Sequence, residues 1–415
     1  MDRRNFIKRA GMASLLLGAG GVAQAVEIAE TASQSANGQL TEKKRRIPIT
    51  RKADVVVCGG GPAGIGAAIE AARSGAKTVL IEHAGFLGGT WTAGLLGVML
   101  DHEDRNGLMG ELKQTLTDRR WRNTAVWTDE LFTFDVERMK LLLDEMCAEA
   151  GVDLLLYTTV TDAVVNKGRI THVVTESKSG REAIEGKIFV DATGDGDLAA
   201  MSGCGYDVGN EEGHMQPMSM LGLVTGVNFE DIKDCVLWDG KKTRRTSKRA
   251  LIAEIRRGGH EGSYKMPCLF LLHDNLYALM ANHQYGMKGF DRDHLTKASI
   301  EGRREVHRIV DSLQGLGGRW EGLKLVATAS QIGCREGRRI HGLYTVTADD
   351  LVSGRKHEDA ACQVRFGVDV HSVHVDNEGK GKSYTQGIKS KPYDIPMRAL
   401  IAKDVKGLMM TGRCI

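Results

Sequence analysis

Apolar positions along this chain follow two rhythms, and where one gives way to the other marks the elements. Residues 53–58 form a short β-branched run, Ala-Asp-Val-Val-Val-Cys, that stops at Gly59-Gly60-Gly61-Pro62-Ala63-Gly64. Ile65, Ala68, Ile69 and Ala72 then recur at helical spacing as far as Ser74-Gly75, and Lys77 to Ile81 reads as a second strand. From Phe134-Asp135 to Ala150, an inward face of Val136, Met139, Leu142, Leu143 and Met146 predicts a helix ended by Gly151. Four alternating runs follow, at 152–157, 160–166, 170–177 and 183–190, with turns at Asn166-Lys167-Gly168 and Ser177-Lys178-Ser179-Gly180, predicting an antiparallel meander. The last of them enters Asp191-Ala192-Thr193-Gly194-Asp195-Gly196-Asp197 and a small-residue helix ending near Gly203.

Residues 206–330 repeat none of this. They predict a helix near 247–257, strands at 269–272 and 277–280, and a long amphipathic helix over about 293–313, the material of a second, α+β domain. Leu408-Met409-Met410-Thr411 reads as a central strand. Alternation at 369–376 predicts another, with Asp369 and His371 on one side and His374 and Asp376 on the other, an arrangement unsuited to one metal site.

The glycine turn carries the first chemistry. Gly59 makes the turn, Gly61 lets a backbone approach a pyrophosphate, and Gly64 permits close helix-on-strand packing. The helix amino terminus, opening at Pro62 and Ala63, offers free N–H groups and the positive end of a dipole. Such glycines also serve a strand turn that binds nothing, but the second strand ends at Glu82, where a carboxylate accepts hydrogen bonds from both ribose hydroxyls of a dinucleotide. The next segment, containing Gly88, Gly89 and Thr90, is too polar and glycine-dense for a strand and suits either cofactor contact or a mobile surface loop.

Composition narrows the class. The 415 residues are 42% hydrophobic and 26% charged with 6 prolines, a globular profile for two or three domains, and 51 glycines point to many tight backbone geometries. The net charge of +3 is accounted for by residues 1–25, where Arg3, Arg4, Lys8 and Arg9 face Asp2; the rest is balanced, so no nucleic-acid footprint emerges. The eight cysteines form no C-x-x-C pair and read mostly as buried thiols, and no stretch is long and apolar enough to stay in a membrane. Arg3-Arg4 with Phe6 and Lys8, a glycine-diluted apolar run and Ala23-Gln24-Ala25 resemble a twin-arginine signal peptide. That resemblance implies recognition by the twin-arginine export machinery and a periplasmic or otherwise extracytoplasmic destination, with 26–52 as a flexible linker. Because that route carries folded proteins, it also hints at a cofactor acquired before export.

Taken together, GGGPAG, a GGT segment after the ribose acid, and DATGDGDLA resemble the FAD-dependent oxidoreductase family. The likeness continues in Gln216-Pro217-Met218, in residues 331–340, in Asp369-Val370-His371, in Tyr393-Asp394-Ile395-Pro396 and in Gly412-Arg413-Cys414-Ile415. It implies an α/β fold of the glutathione-reductase type for FAD or NAD(P), with a parallel sheet, flanking helices and a β-meander crossover, plus a substrate or cap domain. The expected organisation is 53–205 as the first part of the FAD-binding domain, 206–330 as the cap, and 331–415 as a return to the FAD-binding domain. In that family a further stretch and a final helix follow GRCI, so the resemblance implies a carboxyl-terminal truncation and one sheet face left uncovered.

The resemblance assigns noncovalent FAD to Gly59, Gly61, Pro62, Ala63, Gly64, Glu82, Gly88, Gly89, Thr90, Thr193, Gly194 and Asp195. Candidates for substrate chemistry are Arg335, Arg339 and Arg413, which suit a carboxylate fork, and His371, which suits a proton relay; Arg338 belongs to the same basic run. The same arginines serve equally as structural ion pairs. His214 reads as structural or solvent-facing, and Cys58 as a buried thiol at the end of the first strand. Two functions fit: an exported FAD-dependent oxidoreductase acting on a small organic substrate with an unidentified electron acceptor, or a flavin- or NAD-binding carrier or interaction module without turnover.

Overall fold

The computed structural model describes residues 32–34, 40–42, 44–123, 131–238, 240–377 and 384–415. The twin-arginine segment lies outside the described residues. The chain divides into two units, residues 1–47 and 48–415. In the first, Ala32–Gln34 pairs antiparallel with Leu40–Glu42, so the stretch read as linker contains a short hairpin.

In the second unit the parallel strands lie in the order Asp153–Leu155, Thr78–Ile81, Ile49–Cys58, Gly180–Asp191. The first strand begins at Ile49, inside the stretch read as linker, because its 12-residue neighbour Gly180–Asp191 offers partners back to Ala183. Only three of the four alternating runs make the meander: Thr159–Asn166, Arg169–Ser177 and Gly180–Asp191. The run at 152–157 supplies a parallel edge strand, since the helix Val136–Ala150 returns the chain to the sheet.

The far edge of Gly180–Asp191 is shared. Its first half, 180–185, pairs antiparallel with Arg169–Ser177, and its last residues, 189–191, pair parallel with Leu408–Met410. Both faces of the sheet are buried: Val57, Leu80 and Val190 join one apolar cluster, and Val56, Cys58, Val79, Ile81, Phe189, Leu408 and Met410 another. The uncovered face expected from a truncation is therefore not what the structure shows. Leu198, Ala199, Ile340, Ala402 and Cys414 lie against it.

The cap is a four-stranded antiparallel sheet ordered Cys268–His273, Leu276–Met280, Gly222–Thr225, Lys324–Thr328. Helices Gly240–Arg257 and Arg292–Gln314 pack on it. Three of its strands, Cys268–His273, Leu276–Met280 and Gly222–Thr225, are buried on both faces, which explains their continuous apolar runs, while Lys324–Thr328 is largely exposed. Leu269, Leu271, Tyr277 and Leu279 face a core holding Trp320, Ile309 and Leu251; Phe270, Leu272 and Ala278 face the opposite way, into the cluster that contains Val57 and Leu80. The cap and the dinucleotide half thus share a core, and no helix among the described residues is long and apolar enough to cross a membrane. Residues 369–376 are not a strand. They run irregularly into a 3-10 turn, Val375–Asn377, because no strand among the described residues pairs with their alternation.

Candidate functional site

The turn after Ile49–Cys58 is built from glycines that differ in what they permit. Gly59 has φ +111°, and a Cβ there would stand 2.3 Å from the Ala192 carbonyl oxygen. At Gly64 a Cβ would lie 1.9 Å from the Gly59 carbonyl oxygen, so this glycine seats the helix Pro62–Arg73 on the turn. Gly61, the N-cap of that helix with Pro62 next, is the contrast: a Cβ there would meet nothing within 4 Å. It faces a cavity of about 900 Å³.

Gly59, Gly61, Pro62, Ala63, Glu82, Gly89, Thr90, Thr193, Gly194 and Asp195 line that cavity. Gly64 and Gly88 do not: Gly64 lies beneath the turn, and Gly88 donates its N–H to the Gly60 carbonyl at 2.8 Å, which docks the Gly88-Gly89-Thr90 loop on it. Glu82 is buried. One carboxylate oxygen accepts from the Gly60 N–H at 2.6 Å; the other accepts from the Ala84 N–H at 2.8 Å and sits 2.8 Å from His83 Nδ1. Burial works to raise its pKa, but His83 and the two amides outweigh it, so Glu82 stays below the ordinary carboxylate range while His83 is raised by the same contact.

The opposite wall comes from the end of Gly180–Asp191. Asp191 is fully buried and accepts from the Thr193 hydroxyl at 2.7 Å, the Thr193 N–H at 3.1 Å and the Ala199 N–H at 2.8 Å. Burial raises its pKa against those bonds. They hold the turn that presents Thr193, Gly194 and Asp195. Asp195 pairs with Arg413 at 3.2 Å, and burial outweighs Arg413 in raising its pKa. Gly194, at φ +81°, lets Arg413 pass: a Cβ would stand 2.4 Å from its Nη2.

The substrate candidates separate. Arg335 and Arg413 line the cavity; Arg339 and His371 do not. Arg339 instead bonds the Gly209 carbonyl at 2.8 Å and lies 3.8 Å from Glu336, because Arg338–Ile340 pairs as a strand with Tyr206–Val208. Arg338 is likewise structural, bridging Asp197 and the Asp195 carbonyl, each at 2.8 Å. His371 is buried among the rings of Tyr264, His283 and Tyr384. Its backbone N–H donates to Gln216 Oε1 at 2.8 Å, so it positions a cavity-lining glutamine and does not itself face the space. Asp369 lines the mouth, exposed. His214 stacks edge-on with His374, 6.0 Å between centroids, and Cys58 lines the cavity with its thiol pushed well up by burial.

Sequence reasoning missed Ser219 and His283, and quoted Gln216 and Gln331 without giving them a role. Arg335 Nη2 donates to Ser219 Oγ at 3.2 Å and to His283 Nε2 at 3.0 Å. Nothing in the local pattern around Asn282-His283-Gln284 marks this, since the contact closes between the segment after the cap strand Leu276–Met280 and residue 335.

The geometry is a long cavity with a helix amino terminus, an anchored carboxylate and a polar far end. For FAD the fit is direct: Gly61 is open where a pyrophosphate needs room, and Glu82 stands at the end of the second strand where a ribose is read. The family described as FAD dependent oxidoreductase matches residues 54–415. A thiamine thiazole synthase of Methanococcus maripaludis strain C7 is 30% identical over 156 residues, covering 34% of this chain and 55% of that protein. A dihydrolipoyl dehydrogenase of Trypanosoma brucei brucei is 55% identical over 47 residues, 11% of this chain and 10% of that protein. Among solved structures, a geranylgeranyl bacteriochlorophyll reductase-like protein of Thermoplasma acidophilum aligns with TM-score 0.44 and 13% identity over 68% of this chain and 66% of its own. The chain spans about half the length of the thiamine thiazole synthases it matches. With the family match running through nearly all of the second unit, the chain belongs to the FAD-dependent oxidoreductases, whose cofactor is FAD.

Proposed function

We propose that this chain is an exported oxidoreductase that passes a hydride between a small organic substrate and noncovalently held FAD. The observation that carries the reading is the continuity of the cavity: one space joins the dinucleotide cradle at Gly61 and Glu82 to polar groups at Gln216, Ser219, Gln331 and Arg335. A carrier needs only the first half; the second half is what a substrate requires. When bound, the flavin supplies the two-electron chemistry. The protein's own groups do the rest. Asp195 and Arg413 neutralise each other between the two arms of the wall, and Leu221, Met280, Leu295 and Ile332 exclude water from the polar end.

Export rests on Arg3-Arg4 and the Ala23-Gln24-Ala25 triplet. The decisive experiment for the catalytic reading is anaerobic: the flavin-loaded protein is mixed with a library of organic acids, alcohols and sugars, and bleaching of the flavin band is followed. At least one class should bleach it. A flavin that dithionite reduces but no member of the library touches would favour an electron carrier on the same fold.

A further inference from the structure

We propose that Arg335 is the anion-binding residue of this cavity and that the substrate it receives carries a carboxylate. The proposal deepens the oxidoreductase reading and rests on it. Each of the other arginines nearby is matched by a carboxylate: Arg413 by Asp195, Arg338 by Asp197, Arg339 by Glu336 and Arg292 by Asp293. Arg335 has no ion pair among the described residues, although Asp369 lines the same space. Its two contacts, Ser219 and His283, both come through Nη2 and both are neutral. Its Nε is buried without an acceptor. A guanidinium left with unspent donors and an unmatched charge at the polar end of a cavity is the arrangement that takes up a planar anion, and a carboxylate matches that fork.

The neutrality of His283 follows from what surrounds it. It is buried and stacked on Tyr264 with 3.9 Å between ring centroids. Burial first, then the neighbouring Arg335, His371 and Lys248, drive its pKa far down. Its Nδ1 lies 3.2 Å from the Tyr285 hydroxyl, which in turn donates to the Ser263 carbonyl at 3.3 Å. The Tyr285 proton being spent there, Nδ1 carries the imidazole hydrogen and Nε2 accepts from Arg335. His283 is therefore a positioning residue that orients the guanidinium without cancelling its charge, which an acid at this place would do. One cation without a carboxylate partner balances a monoanion; a phosphate dianion would need a second, and the other arginines of the lining, Arg413 and Arg292, are already paired with Asp195 and Asp293.

The test uses the full chain and matched probes: propanoate and benzoate, each beside its amide, titrated by calorimetry into flavin-loaded and flavin-free protein. The acids should bind at least about tenfold more tightly than the amides, and Arg335→Gln should erase that preference while leaving FAD affinity unchanged. His283→Gln, which keeps an acceptor, should retain the preference, and His283→Phe should lose it with amide binding unaltered. Equal binding of acids and amides by the wild-type chain would overturn the proposal, as would an Arg335→Gln variant that keeps the preference or that loses FAD together with it. A chain that takes up no flavin yet prefers acids would defeat the cofactor reading alone, because calorimetry reads the probes in either state.

Discussion

Gly61 and Gly64 stand three residues apart in one turn, and the structure assigns them opposite sensitivities. At Gly61 an alanine methyl enters open space, with backbone angles of −74° and 177° that any residue adopts. Losing glycine at an N-cap costs a few tenths of a kcal/mol to about 1 kcal/mol, and the stiffer unfolded chain returns about 0.4–1 kcal/mol, so Gly61→Ala should leave the flavin-free fold within about 1 kcal/mol of wild type. The same methyl occupies the approach of the pyrophosphate to the helix N–H groups. Each charge-assisted hydrogen bond lost there is worth about 1.5–3 kcal/mol, so FAD affinity should fall by roughly tenfold to a hundredfold or more. Gly64→Ala should do the reverse in kind: a methyl 1.9 Å from the Gly59 carbonyl oxygen and 3.0 Å from Ala192 Cβ forces the helix off the turn, at about 3 kcal/mol or more. Urea unfolding of the flavin-free proteins and calorimetric titration with FAD separate the two. Unchanged FAD affinity in Gly61→Ala, or equal destabilisation by both substitutions, would refute the reasoning.

The remaining expectations concern the cap and the amino terminus. Glu254 has a pKa lowered to about 2, first by Arg257 and then, against burial, by the Trp320 indole at 2.7 Å and by Arg319. A carboxylate depressed on folding stabilises fully above about pH 4.5 and loses that contribution as pH falls toward 2. Arg257 being largely exposed, screening trims the effect to about 1–2 kcal/mol, and Glu254→Gln should flatten the fall in urea midpoint between pH 6 and pH 3; parallel pH profiles would contradict this. Replacing Arg3 and Arg4 together by Lys keeps the charge and should stop export, measured by fractionation of the expressing cells. Export at normal yield would dismiss the twin-arginine reading.

Much of the cradle was legible because it is local. The order of strand, glycines, helix and Glu82 fits within about thirty residues, and each member's role depends on its sequence neighbours. The long cap helix was legible for the same reason, its apolar stripe being continuous. The helix Gly107–Asp118 went unread because only Leu112 and Leu116 are buried on it, too few to make a rhythm. The segment 369–376 alternates like a strand yet joins no sheet among the described residues, which pattern alone does not reveal. Arg335 and Arg339 look equivalent in sequence. Their difference arises because residue 339 pairs with Asp207 in a two-stranded ribbon while residue 335 meets Ser219 and His283 across the cavity.

The divided edge of Gly180–Asp191 sets a timetable for the molecule. Its meander partner is adjacent in sequence and pairs as soon as it is made, whereas the strand Leu408–Met410 must wait for the whole cap to be synthesised. Asp195 and Arg413 are 218 residues apart, which at about 5–20 residues per second is roughly ten to forty seconds of translation. Through that interval the turn at Thr193 to Asp195 is already presented, while the arm that closes over it does not yet exist. Nucleotide capture is thereby tied to the arrival of a strand made long after the glycine turn, and a ribosome-bound intermediate carries a half-open cradle with part of its sheet edge unpaired.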